Sequence, residues 1–231
     1  MNLIDISIPL ALEDYLTVIF SAFGLVLLTR MIFQMNRTLG LMALVGTVLT
    51  VIGGAMKASW KLVIASGGPD FPVLNYGLFP LIAPGFILVC WSLYNVRRTF
   101  RNQPPLSRPW LAPLVTIGIV TLGSIALSIV GGPWRLPFIL LGTVGNVGML
   151  VLLTMAAFGR KMKLTGALFI VTLVVVVVMS QMTAIKNPSI GFVWFEQVTQ
   201  TIAQVIFTLA AWQYSEQVVT TYIRPMVARP A

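Results

Sequence analysis

From Leu164 to Met179 the chain runs without a charged residue, its apolar series interrupted only by two threonines and a glycine. A bilayer core takes about 20 consecutive apolar residues as a helix, because a helix satisfies its own backbone groups where water cannot. Six further stretches follow the same rule. The chain is therefore expected to be all-α, an integral membrane bundle of seven helices. The pattern predicts spans over residues 15–33, 39–63, 76–96, 110–130, 136–158, 164–185 and 192–218. Turns fall at Gly67-Gly68-Pro69, Gly131-Gly132-Pro133 and Asn187-Pro188. Only 9% of the residues are charged, against about 25% in a water-soluble domain. No room remains for a soluble domain beside the spans, so residues 1–231 are read as one transmembrane domain.

Charge sets the orientation. Arg30, Arg37, Arg97, Arg98, Arg101, Arg108, Arg160, Lys161, Lys163, Arg224 and Arg229, eleven of the fifteen basic residues, fall in loops on one side of the predicted bundle. Lys57, Lys61, Arg135 and Lys186 lie toward the other. By the positive-inside rule the first side is cytoplasmic, which places the N-terminus outside and the C-terminus inside. Six or eight spans would put one basic cluster outside. The net charge of +9 is thus a topology signal, and no nucleic-acid partner is expected. The first residues carry Asp5, Glu13 and Asp14 and no basic residue, the reverse of a signal peptide. A bacterial inner membrane is the expected location.

Residue types exclude more than they suggest. The chain has no histidine, which removes imidazole-based metal sites, haem ligation and histidine-activated nucleophiles. Cys90, the single cysteine, sits between Val89 and Trp91 and reads as a packed core thiol. No metal or cofactor is expected. Six acids are spread along the chain without a catalytic pair, so enzymatic activity is not the leading expectation.

Sliding the chain by 125 residues sets Leu25–Thr29 on Leu150–Thr154 and continues through Phe33/Phe158, Leu39/Leu164, Thr47/Thr172 and Val51/Val176. With a four-residue shorter loop, Phe86, Leu88 and Trp91 meet Phe207, Leu209 and Trp212. Residues 10–98 and 136–222 are candidate parallel three-helix repeats, with 109–131 as a linker helix. This arrangement resembles the sugar-transporting SWEET and PQ-loop families and, more loosely, the microbial rhodopsins. The segment Ala203–Leu209 resembles the rhodopsin segment that carries the Schiff-base lysine. Gln204 stands at the lysine's place and Gln200 at that of its carboxylate counter-ion. Tyr76 and Pro84 fall where rhodopsins place a Tyr and a Pro, but Leu78 takes the second counter-ion position. The sixth span has no Trp or Pro to sandwich a polyene, and the internal Pro-Gln of the PQ-loop group is missing from spans 1 and 5. An amide cannot form a Schiff base, so covalent retinal is not expected.

The sharpest polar feature is in the last span. Glu196, Gln200, Gln204 and Thr208 recur every four residues on one helix face, bordered by Gln197 and Thr201. Such groups are costly in lipid and should face the bundle interior or a water-filled cavity. The same stripe could equally serve as interhelical hydrogen-bond glue. Lys57, Asn146, Gln181 and Tyr76 are candidate partners for a ligand. Lys57 could pair with Glu196, Asp14 or Glu13, and Lys61 is expected to snorkel to the outer interface. Asn146 lies among Gly142, Gly145 and Gly148, a spacing that also suits a packing seam. Trp60, Tyr76, Trp134 and Trp194 suit an interfacial aromatic belt.

Three functions remain open from these residues. The leading one is binding or transport of a small polar molecule or ion through an outward-opening cleft along span 7. The second is a retinal-free opsin-like sensor, an apolar-ligand binder or a structural subunit of a membrane complex, as an oligomer or with a fixed partner. The third is an intramembrane enzyme acting on lipid, for which acid/base groups are scarce.

Overall fold

The computed structural model describes residues 7–104, 106–182 and 189–223, with side chains described through Thr221. Its described residues form eight α-helices and no strand: α1 (Ile8–Met35), α2 (Arg37–Ala65), α3 (Pro72–Tyr76), α4 (Leu78–Phe100), α5 (Leu111–Ile129), α6 (Leu136–Gly159), α7 (Lys163–Met182) and α8 (Ile190–Val218), the last running into a π-helical turn, Val219–Ile223.

Helix ends follow local chemistry. Ser7 is extended and Pro9 occupies the first turn of α1, where a missing N–H costs nothing. One residue, Asn36, separates α1 from α2. Its extended backbone ends the first helix, and its Oδ1 accepts from Leu39 N at 3.0 Å to start the second. Gly67 and Gly131 close α2 and α5 with positive φ, a conformation that strains residues with a side chain. Gly77 separates the short α3 from α4, and the third predicted span, 76–96, falls on α4. The Asn187-Pro188 break, together with Lys186, Arg224 and Arg229, lies outside the described residues.

Six helices close into a ring in the order α1, α2, α4, α6, α7, α8 and back to α1. α5 stands outside it, against α6 and α4. Two close approaches set the ring's shape. A methyl group on Gly46 would lie 2.6 Å from Gly85 O, and one on Gly85 would lie 2.7 Å from Gly46 O, so α2 and α4 touch backbone to backbone. A methyl on Gly145 would lie 2.8 Å from Ile87 N, which fixes α6 against α4 in the same way. The core between the helices is apolar and contains Leu28, Ile32, Val89, Leu150, Phe169, Phe207 and Ala210. Two threonines bond across it, Thr29 to Thr47 at 2.9 Å.

Large apolar side chains cover the outside. On α5 only Pro113 and Ser124 are buried, while Ile119, Leu122 and Ile129 are exposed. A water-facing surface of this kind would aggregate, whereas lipid accepts it without cost. Six helical stretches are long and apolar enough to cross a membrane: Ile8–Met35, Arg37–Ala65, Pro72–Phe100, Leu111–Ile129, Leu136–Gly159 and Lys163–Met182. This is the make-up of a multi-pass membrane protein. α8 matches them in length at 29 residues, but its acids and amides keep it out of that set.

Candidate functional site

Four helices line one space inside the ring, three of them with polar side chains. α1 contributes Asp14, Thr17 and Ser21, spaced to share a face. α2 contributes Thr50, Lys57 and Lys61, again along one face, with Gly54 leaving room between them. α8 contributes Glu196, Gln197, Gln200 and Gln204. Leu78, Ile82 and Phe86 of α4 form the apolar side. The partly open cavity is about 400 Å³, within the range of small-molecule sites.

The charged groups here are held by specific partners. Lys61 Nζ lies 2.5 Å from Asp14 Oδ2, and both side chains are largely shielded. Lys61 was expected to snorkel outward; the packing of α1 on α2 puts a carboxylate within reach and turns it inward instead. Lys57 donates to Asn75 Oδ1 at 2.5 Å and lies 4.1 Å above the Trp60 ring. It bonds to none of the three acids considered for it. Trp60 Nε1 in turn donates to Asp70 at 2.7 Å. Tyr15 and Ser59 join α1 to α2 at 2.7 Å. Thr201 Oγ1 donates to Glu13 Oε1 and contacts Thr17 Oγ1, each at 2.5 Å, which ties α8 to α1 beside the cavity.

The amides of α8 are far less engaged. Gln200 Nε2 is 3.5 Å from Glu196 Oε1, a long contact that leaves most of its capacity free. Gln204 has no hydrogen bond to another described residue. Gln197 is 8% exposed and its Oε1 is buried without a partner among the described residues. A buried amide oxygen left alone costs about 1–3 kcal/mol, so a donor supplied by an occupant would stabilise it.

A smaller cavity of about 230 Å³ lies on the other side of α8, among α6, α7 and α8. Asn146, Met179 and Ser180 line it, together with the same Gln200 and Gln204. The two glutamines thus form the wall between two spaces. Asn146 shares the smaller one with them and does not meet Lys57.

The remaining candidates sit apart. Thr208 Oγ1 donates to Phe20 O at 2.5 Å and joins α8 to α1 below the cavity. Gln181 is exposed and lines neither cavity. Tyr76 packs edge-on to Trp134 at 6.1 Å, with the Arg135 guanidinium 4.2 Å above its ring. That is an aromatic and cationic cap at the bundle's end, outside the cavity lining. Of the glycine series on α6, Gly145 makes the close approach to α4, Gly142 makes ordinary contact with Ala83, and Gly148 faces Cys90 Sγ.

Sequence reasoning passed over Thr17, Ser21 and Thr50 because single hydroxyls in apolar helices are common. Asp14, Thr17 and Ser21 at i, i+3 and i+7 were the available signal.

No family model matches the chain, and no curated protein or solved structure matches it.

Proposed function

We propose that the protein binds, and moves across the membrane, a small polar molecule or ion that enters between α1, α2 and α8. The observation that carries this reading is the cavity itself. Two ammonium-bearing side chains, two carboxyl-bearing ones and three amides face about 400 Å³ of space, and Gln197 Oε1 and Gln204 have no partner among the described residues. Helix packing alone has no use for a buried acceptor with nothing bound to it. The balance of donors and acceptors suits a molecule offering both.

On this reading α8 is the seventh span and lies in the bundle with its polar face inward. The Asp14 end faces outside and the arginine-rich end the cytoplasm, by the distribution of basic residues, in a bacterial inner membrane. The ring order supports a parallel repeat, since exchanging α1, α2 and α4 with α6, α7 and α8 maps each neighbour pair onto another. Gln200 and Gln204, between two cavities, would then stand on the path.

The test is mass spectrometry of small molecules retained by the protein purified from native membranes, wild type beside Gln204→Leu. A polar molecule recovered with the wild type and lost from a variant of unchanged melting temperature supports the proposal. Equal recovery from both removes it. A second reading, a structural subunit, draws on the apolar face of α5 and the tight α4–α6 seam at Gly145. Co-purification of a fixed partner protein with an empty cavity would favour it.

A further inference from the structure

The opposite end of the ring carries a different kind of space. The last turns of α4 and α6 and Tyr214 of α8 enclose a cavity of about 240 Å³. Val96, Leu152, Leu153 and Ala156 supply apolar wall, while Arg97, Arg101 and Arg160 stand around it. No carboxylate of a described residue lines it. Glu216, the described acid nearest in sequence to Tyr214, is exposed and lies outside the lining.

The three guanidiniums are not equivalent. Arg160 is braced: its Nη1 donates to Tyr214 Oη at 2.9 Å, and its guanidinium carbon sits 4.0 Å above the Phe100 ring. Arg97 and Arg101, one helical turn apart, are open. Arg97 Nη1 reaches the Met155 sulfur at 3.3 Å, a weak acceptor, and no oxygen of a described residue accepts from its side chain. The Arg101 side chain is exposed and has no hydrogen-bond or ion-pair partner among the described residues. Two guanidiniums therefore have planar forks to spare beside a partly open cleft with an apolar wall.

The charge lining the cleft is positive. The carbonyl ends of α4, α6 and α8 contribute about half a negative charge each, against three full positive charges. Planar guanidinium forks match tetrahedral oxyanions in a way a single ammonium does not. Basic pockets between membrane helices are where anionic head groups lodge.

We propose that this cleft binds a phosphate group, with Arg97 and Arg101 as the open forks and Arg160 as the fixed one. The source the walls favour is an anionic phospholipid, because Leu152 and the half-exposed Met155 offer apolar surface beside the head-group position. A free phosphate has the same chemistry and no use for those walls. This inference is independent of the Lys57 cavity and stands or falls without it.

The experiment is native mass spectrometry of the purified full chain in a neutral detergent, with phosphatidylglycerol, phosphatidylcholine or inorganic phosphate added. The wild type should retain one phosphatidylglycerol in clear preference to phosphatidylcholine. Arg97→Gln/Arg101→Gln should weaken that retention by about a hundredfold and either single change by about tenfold, since each lost charge-assisted bond accounts for about one factor of ten. Arg108→Gln/Lys163→Gln removes the same charge from the same end outside the cleft and should leave retention unchanged. Should the first double variant fold poorly, the exposed single Arg101→Gln gives the same reading. Displacement of the lipid by inorganic phosphate, with the same dependence on Arg97 and Arg101, supports a phosphate site and assigns it to the free anion. Retention unaffected by the arginine changes, equal loss in the control, or no anion bound by the wild type overturns the proposal.

Discussion

Lys61 Nζ lies 2.5 Å from Asp14 Oδ2, so the last basic side chain of α2 is neutralised by the first helical turns of α1. The pair has 13% and 16% of its side-chain surface exposed, which places it closer to a buried bridge than to a surface one. A partner removed from such a pair leaves a charge with poor solvation, and that loss exceeds what the intact pair contributes.

Asp14→Asn should therefore destabilise the protein by about 3 kcal/mol, the lower end of the range for a buried pair because some exposure remains. Lys61→Met in the same background should recover most of the loss by removing the orphaned cation. Thermal unfolding in detergent measures both. If Asp14→Asn melts with the wild type, the bridge holds nothing together.

Gln197 leads to an opposite expectation. Its Oε1 is buried without a partner, so Gln197→Met, similar in volume and free of that oxygen, should leave the empty protein unchanged or raise its stability by about 1 kcal/mol. Retention of the molecule in the Lys57 cavity should fall in the same variant. A variant less stable than wild type would mean that the amide already has a partner in the membrane.

The glycines of α6 should respond in graded order to alanine. At Gly145 the new methyl would meet the backbone of Phe86 and Ile87 at 2.8–2.9 Å, and backbone cannot step aside, so about 1–3 kcal/mol is lost. At Gly148 it would meet Cys90 Sγ at 3.1 Å, a side chain that can rotate, and the loss should be smaller. At Gly142 it would lie 3.4 Å from Ala83 Cβ, ordinary contact, and the change should be near neutral. Equal effects at all three would contradict the assignment of Gly145 as the contact point of α4 and α6.

Much of the site could be read along one helix. Glu196, Gln200 and Gln204 recur at a helical spacing in an apolar segment, and the cost of amides in lipid turns them inward before any neighbour is known. Their companions could not be read that way. Lys57 and Asn146 line different cavities because α2 and α6 stand at different places in the ring. Lys61 turned inward because Asp14, far away in the chain, is its neighbour in space. Thr208 continues the stripe in sequence, yet a carbonyl of α1 takes its hydroxyl. Tyr76 and Gln181 have the right polarity and lie outside both cavities.

The sequence by itself determined that the chain is helical, that its helices are apolar around most of their surface, and which face of α8 is polar. Those properties follow from runs and periods along one strand of residues, and each helix carries them alone. Only the tertiary structure decided the ring order, the position of α5 outside it, and the division of the polar interior into two spaces by Gln200 and Gln204. The physical reason is that apolar helices in lipid have no hydrophobic drive toward any one neighbour. Their arrangement is chosen by close fit, and the backbone contacts between helices here, at Gly46 with Gly85 and at Gly145 with Ile87, join residues far apart in the chain.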